Sequence, residues 1–199
     1  MPFESPTHAI TPDRQDAVVI EPVPNVSIQT GLGGLFYLVN LGIYLGLYGD
    51  FASPLRPGIA LSIYDFVALV GQRLVSSITE DELDADRDPV WGFLLRLAGR
   101  REDEAPCAEG LGAPLDEWLD GLMPQIRDRL NRALGLTGED PSELPRLLLV
   151  HPARVTVSGT HLDVFLSLND LPISIRLSGL DRNPGWVPAA GRFIAFHFE

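Results

Sequence analysis

The sequence has little cysteine, and that shortage excludes several kinds of site. Its 199 residues contain one cysteine, Cys107. A single thiol cannot form an intramolecular disulfide or a cysteine-rich zinc site, and it agrees with a reducing compartment. The first residues carry acids and prolines but no apolar core, so they do not match a secretory signal peptide. We therefore expect a cytoplasmic protein.

Positive charge is also scarce. The chain has 27 acidic residues against 15 basic ones, all of them arginine, and a net charge of −12. Nucleic-acid binding depends on neutralising phosphates with lysine and arginine, and anionic membrane surfaces attract the same side chains. The composition therefore disfavours both partners. Apolar residues make up 45% of the chain, which is enough for a hydrophobic core and excludes a wholly disordered protein.

No complete motif for catalysis, nucleotide binding or metal binding occurs in the sequence. The patterns GxSxG, HExxH and CxxC and the phosphate-binding loop are all absent. The glycine cluster at 31–34 is not a dinucleotide fingerprint, because Phe36 stands where the last glycine is needed. The acidic run at 80–88 lacks the glycine and terminal glutamate of a calcium loop. We expect no enzyme activity and no cofactor.

The segment Val26–Gly49 carries no charged residue and is long enough to raise the question of a membrane span. Asn40 lies near its centre, and its many glycines lower its helix propensity. We interpret the segment as a helix buried on nearly all sides, with Gly42 and Gly46 on one face for close packing. Two alternatives stay open: a membrane-associated protein anchored by residues 32–49, and a surface patch exposed for a partner.

Helical spacing of apolar residues follows in the middle of the chain. Ser62 is suited to cap the first predicted helix. Asp88 is suited to cap the second, which Gly99 would end. A third helical region covers residues 115–134, where Pro124 starts a new helix or kinks the existing one.

The spacing changes to period two after Pro152, which predicts four short strands joined as an antiparallel meander. They are 155–158, 162–168, 173–177 and 192–198. The predicted fold class is α+β, with N-terminal helices packed against a C-terminal antiparallel β-meander. The predicted organisation is a flexible arm (1–24), a mainly helical region (25–150) and the sheet (151–199), with 25–199 forming one domain.

Three side chains near the C-terminus form the strongest chemical candidate. His161 and Asp163 are two residues apart on a predicted strand, so they point to one face. With His197 from another strand they are suited to a metal site or an acid–base pair, which makes a metal-binding or hydrolytic domain an alternative function. Polar pairs on the solvent face of a sheet are the more ordinary interpretation.

Three stretches together resemble a known family: Gly33–Phe51 with Pro57–Gly71, then Asp88–Arg100, then Arg154–Glu199. The family consists of mostly uncharacterised bacterial proteins associated with gene clusters for phage-tail-like extracellular contractile injection systems. The resemblance implies a structural or accessory role in building a tail-like particle, whose components would be the partners. It supplies no catalytic residues.

The functional prediction is a non-catalytic protein that binds protein partners in a multi-subunit assembly. Self-association stays open. Aromatic side chains dominate interface energetics, so they are the predicted contacts, the first four on condition that they are exposed. They are Phe36, Tyr37, Tyr44, Tyr48, Trp186 and Phe198. For Trp186, a place in the core is the more ordinary interpretation, and a docking anchor is the alternative.

Overall fold

The computed structural model describes residues 26–49, 52, 58–78, 85–101, 103–107 and 111–199. The predicted arm 1–24 and much of the acidic run 80–88 lie outside these residues. The helices are α1 (Tyr37–Tyr44), α2 (Ile63–Val75), α3 (Val90–Leu97), α4 (Leu115–Leu134), α5 (Glu143–Leu149) and α6 (Ile173–Ser178). The strands are β1 (Val26–Thr30), β2 (Ala153–Val157), β3 (His161–Leu166), β4 (Gly185–Val187) and β5 (Arg192–Phe198).

The α+β class is confirmed, but the predicted meander is wrong because the sheet is mixed. The strand order is β1-β2-β3-β5-β4, and β3 pairs with β5 in parallel while the other pairs are antiparallel. Parallel neighbours need a crossover connection. The chain therefore leaves the sheet after β3 and returns through α6 and the short strand β4.

The crossover explains why the predicted strand 173–177 is a helix. Pro172 precedes α6, and Gly179 ends it in the left-handed conformation with φ of 74°. Ile175 is buried while Ile173 and Leu177, four residues apart, share an exposed side. Five residues in which apolar and polar side chains alternate fit both the period of a strand and one turn of a helix. The pattern alone therefore did not distinguish a strand from a short helix.

The segment predicted as one helix is a strand followed by a helix. β1 forms an edge of the sheet and pairs with β2 from Val26↔Val157 to Thr30↔Ala153. A 3-10 turn at Gly33–Phe36 then leads into α1. The period-two alternation of Val26 and Ile28 with polar neighbours carries the strand signal that the long apolar run concealed.

Two glycines let this turn pack closely against its neighbours. A Cβ atom on Gly34 would lie 1.9 Å from the carbonyl oxygen of Leu148, and one on Gly33 would lie 2.3 Å from the Cβ of Ala153. Only glycine fits so close a backbone approach. The predicted pairing of Gly42 with Gly46 is wrong, because Gly46 lies beyond α1 with φ of 71°.

The expected burial of this segment is confirmed for its central part. From Leu32 to Leu41 the apolar side chains are at most 3% exposed, and they belong to one core cluster that reaches from Leu32 to Phe196. Within the described ranges, no helix combines the length and apolar character needed to cross a bilayer.

The sheet meets this core with one face only. The inward side chains are apolar and buried, as Val155, Val164 and Ile194 show, while their neighbours along each strand point the other way. The helices therefore cover one face of the sheet.

Asp88 ties the edge strand to the start of α3. Its Oδ1 accepts hydrogen bonds from Thr30 Oγ1 at 2.7 Å and from the Val90 amide at 2.9 Å. Its Oδ2 accepts one from the Gly31 amide at 2.8 Å. The predicted capping role is thus confirmed, and Asp88 also fixes the position at which β1 ends.

A buried ion pair joins α2 to the end of α3. The guanidinium of Arg100 contacts Asp65 Oδ1 through Nε at 2.8 Å and Nη2 at 2.6 Å. Burial raises the pKa of Asp65 above its ordinary value, although Arg100 acts in the opposite direction. Removing one partner of such a pair leaves an uncompensated charge in the core.

We expect Arg100→Met to lower the free energy of unfolding by about 3–5 kcal/mol at pH 7. Because the folded-state pKa of Asp65 is raised, ionised Asp65 costs stability above that pKa, and protonation relieves the cost below it. The deficit should therefore shrink as the pH falls toward the acidic range. Urea unfolding at neutral and acidic pH measures it.

Arg101→Met is the matched control. The Arg101 side chain is 84% exposed, so this change should stay within about 0.5 kcal/mol. A deficit of Arg100→Met that is equal at both pH values would contradict the assigned role of the ion pair.

Candidate interaction surface

The second face of the sheet carries polar and aromatic side chains that are half-buried or exposed. We call it the open face. The strand registers bring its side chains into three rows that run across the strands. The first row is Gln29, Arg154, Phe165 and His197. The middle row is Ser27, Thr156, Asp163 and Ala195. The third row is His161, Phe193 and Trp186.

The first row is a continuous stack. The guanidinium carbon of Arg154 lies 3.7 Å from the ring centroid of Phe165, which is a cation–π contact. On the other side of Phe165, the ring of His197 stacks with a centroid separation of 4.6 Å and an interplanar angle of 17°. Arg154 also approaches Glu199 at 3.7 Å.

The third row is a second aromatic ridge. His161 stacks on Phe193 with centroids 5.4 Å apart, and Trp186 tilts against the same ring at 5.3 Å. Phe193 is nevertheless 46% exposed. A large apolar ring that is exposed beside other aromatic rings is a typical feature of a docking surface.

The middle row has short side chains and forms the floor of a shallow groove between the two ridges. The ridges are four residues apart along a strand, so their backbones are separated by about 13 Å. At the centre of the floor, Asp163 Oδ1 bonds to His197 Nε2 at 2.8 Å. We call this feature, with its two ridges, the open-face groove.

The structure brings two of the three predicted chemical residues together. Asp163 and His197 are in contact, whereas His161 bonds through Nδ1 to Thr160 Oγ1 at 2.9 Å and stacks on Phe193. Among the residues that the structure describes, no three His, Cys, Asp or Glu side chains group in a way that could hold a metal ion.

The Asp163–His197 pair lacks the further geometry of a catalytic triad. A triad needs a nucleophile hydrogen-bonded to the histidine nitrogen that the acid leaves free. The nearest hydroxyl in the register belongs to Thr156, which stands opposite Asp163 on β2. In the described part of the chain, His197 has no hydrogen bond to a hydroxyl or thiol.

The remaining histidine of the described residues is structural. His151 is buried, contacts the Leu147 carbonyl oxygen through Nε2 at 2.9 Å, and meets Tyr37 edge-on. Burial lowers its pKa. His151 therefore belongs to the core between α1 and α5.

The six aromatic residues that were predicted as partner contacts differ in how exposed they are. Phe36, Tyr37 and Tyr48 are core residues that are 1%, 0% and 4% exposed, so the condition attached to them is not met. Tyr44 is 73% exposed and lies under Arg129, at the mouth of a groove of about 680 Å³ between α1, α4 and α6. Its role as a contact stays a prediction.

Trp186 and Phe198 are partly exposed, on opposite faces of the sheet. Trp186 is in the third row of the open face. Phe198 follows the parity of the buried Phe196, and Arg176 of α6 lies over its ring at 5.2 Å. Trp186 is thus available to a partner on the open face, and Phe198 lies by α6.

Sequence reasoning missed Arg154, Phe165 and Phe193. The signal was present, because Phe165 and Phe193 occupy the polar positions of alternating strands. An aromatic residue at such a position marks a place where the solvent-facing side of a sheet is apolar. What the pattern could not supply is the register that aligns these residues across different strands.

Comparisons of the chain with protein-family models, curated proteins and solved structures give no match.

Two phenylalanines of β5, on opposite faces of the sheet, test whether the open face is free. Phe193→Ala should change the free energy of unfolding by no more than about 1 kcal/mol, because the ring is partly exposed and contributes mainly cross-strand contacts. Phe196→Ala, three residues along the same strand and on the covered face, should cost about 3–5 kcal/mol. Urea unfolding of both variants measures the difference.

Equal losses in the two variants would contradict this assignment. They would show that another part of the protein covers Phe193.

Proposed function

We propose that this protein is a non-catalytic module that binds a protein partner through the open face of its sheet, as a structural or accessory part of a multi-protein assembly. The observation that carries the proposal is the pair of aromatic ridges, one of which exposes 46% of Phe193. Aromatic and arginine side chains are enriched at the centres of protein interfaces.

The kind of partner follows from charge. Open sheet faces with aromatic side chains also stack nucleic-acid bases, but such surfaces need a surrounding field of cations. This chain has a net charge of −12. The cation of the first row, Arg154, already lies near Glu199. A protein partner therefore fits the surface better than a polyanion.

The resemblance described above makes a phage-tail-like contractile injection system the assembly that we propose. An exposed aromatic sheet face suits a subunit that packs against neighbours. The free thiol of Cys107 is exposed, which favours assembly in a reducing compartment such as the cytoplasm.

The hydrolytic and metal-binding alternatives receive less support. The Asp163–His197 pair orients an imidazole, as in many acid–base sites. His161, however, is engaged with Thr160 and Phe193. The pair fits a polar contact that fixes the floor of the open-face groove.

Affinity capture from the native cells tests the proposal. The tagged protein should recover tube, sheath or baseplate components, and the variant Phe193→Ala/Trp186→Ala should lose more than nine-tenths of them. Leu177→Ala is the control, because Leu177 is 82% exposed on α6 and not on the open face. Mass spectrometry with labelled reference peptides quantifies each component.

The proposal is overturned if the open-face variant retains its partners while the control loses them. Recovery of the protein alone, in cells that contain the assembled particle, also contradicts it. Circular dichroism of each variant confirms that a lost interaction does not reflect unfolding.

A further inference from the structure

We infer that the free edge of β1 pairs with the same edge of a second copy of this chain, in antiparallel orientation about Ile28. The inference does not rest on the proposed function, because it follows from the backbone of the edge strand. β1 is the first strand in the order β1-β2-β3-β5-β4. One side of β1 is therefore paired with β2, and the other side lies at the edge of the sheet.

The direction of the backbone groups in β1 follows from the hydrogen bonds of the neighbouring strands. The amide and carbonyl of one residue point to the same side of an antiparallel strand, and successive residues alternate. Ser158 donates to the His161 carbonyl at 2.9 Å, so the even-numbered residues of β2 face β3 and its odd-numbered residues face β1. The register places those odd-numbered residues opposite Val26, Ile28 and Thr30. These three residues therefore bond to β2.

The residues between them point their amide and carbonyl groups away from the sheet. They are Ser27 and Gln29, and Gly31 follows with the same orientation. Gly31 confirms the direction, because its amide donates outward to Asp88 Oδ2 at 2.8 Å. Asp88 closes the edge at that point, whereas the backbone groups of Ser27 and Gln29 bond to no residue that the structure describes. Each of the two offers one N–H and one C=O to an added strand.

β1 lacks the features by which proteins usually protect an exposed edge. Protected edges carry charges or proline, or are interrupted by a bulge. Val26–Thr30 contains no charge and no proline, and its register with β2 is continuous. Ser27 and Gln29 are exposed, while Val26 and Ile28 are half-buried apolar residues that pack on the core. An added strand would bury these two side chains further.

A second copy matches this edge group for group. Antiparallel pairing about Ile28 sets Ser27 of each copy opposite Gln29 of the other. All of these residues point outward, so each N–H meets a C=O. The contact uses the same surface on both copies, as the interface of a two-fold homodimer does. The side chains do not oppose it, because the stretch from Val26 to Gly49 contains no charge.

The pairing is compatible with the open face. Its two-fold axis passes through Ile28 perpendicular to the sheet, so two five-stranded sheets join edge to edge with both open faces on one side. Trp186 belongs to β4, the strand at the opposite edge, and Phe193 belongs to β5 beside it. Both side chains therefore stay accessible in the dimer.

The contact is small, because it is confined to one short edge, and interfaces of small area are transient. Two chains of net charge −12 also repel each other over long distances. Salt screens that repulsion. We therefore expect a weak dimer that becomes stronger as the ionic strength rises.

Disulfide trapping of the full chain tests the contact and its register. Cys107→Ser removes the native thiol, and Ile28→Cys and Val26→Cys are each made in that background. In the proposed dimer the two copies of residue 28 form a non-hydrogen-bonded pair with Cα atoms about 4.5 Å apart, which a disulfide can span. The two copies of residue 26 are about 14 Å apart, which is too far. Both positions are half-buried on the same face, so Val26→Cys is the matched control.

Oxidised glutathione should convert Ile28→Cys to a covalent dimer in a yield at least about tenfold above that of Val26→Cys, because only the first pair meets the disulfide distance. The yield should increase with salt concentration. Non-reducing electrophoresis measures the dimer, and mass spectrometry of a digest identifies the disulfide between the two copies of residue 28.

A second variant tests the dimer without added cysteine. Gln29→Pro removes an outward amide and leaves the bonds of Ile28 and Thr30 to β2 in place, and an edge strand tolerates proline where the missing N–H faces solvent. Sedimentation of the unaltered chain should show a dimer that grows with concentration, and Gln29→Pro should stay monomeric. Circular dichroism shows that the variant is folded.

Hydrogen exchange of the Ser27 and Gln29 amides gives the deciding control. Both should exchange fast in dilute solution and slow down as the concentration rises. Protection that is equal at every concentration would overturn the inference, because it would show that the same chain covers its own edge. Equal trapping of the two cysteine variants, or no trapped dimer from Ile28→Cys, would also overturn it. None of these results bears on capture of a partner through the open face.

Discussion

The alternation of side chains along the strands is the constraint on which the rest of this structure depends. Alternate residues of each strand point to one face, where most of them are apolar and are buried by the helices and the glycine turn at 33–34. The residues between them along each strand point to the opposite face. Because the helices cover one face, those remaining residues form a surface, and their identity decides what the surface can bind.

The parallel pairing of β3 with β5 turns these residues into a site. It sets His161 beside Phe193 and Phe165 beside His197, so aromatic rings from distant parts of the chain stack in rows. An antiparallel pairing would reverse the order of β5 and place Phe193 at the other end of β3. The mixed sheet is therefore the physical cause of the two ridges and of the groove between them.

Local signals in the sequence predicted the fold class and several helix ends. The caps at Ser62 and Asp88 depend on neighbouring residues only, and both are present in the structure. The sheet was harder to predict because its edge strand β1 lies over a hundred residues before its partner β2. Strand order and register are long-range properties, so the contact between Asp163 and His197 could be proposed from spacing but the aromatic rows could not.

Photo-crosslinking in the native cells tests the central claim most directly. A benzoylphenylalanine placed at Phe193 on the open face should give one discrete adduct with a component of the assembly. The same residue placed at the exposed Leu177 on α6 should give none. Adducts from Leu177 and none from Phe193 would contradict the account, because they would place the interface on the helical side of the protein.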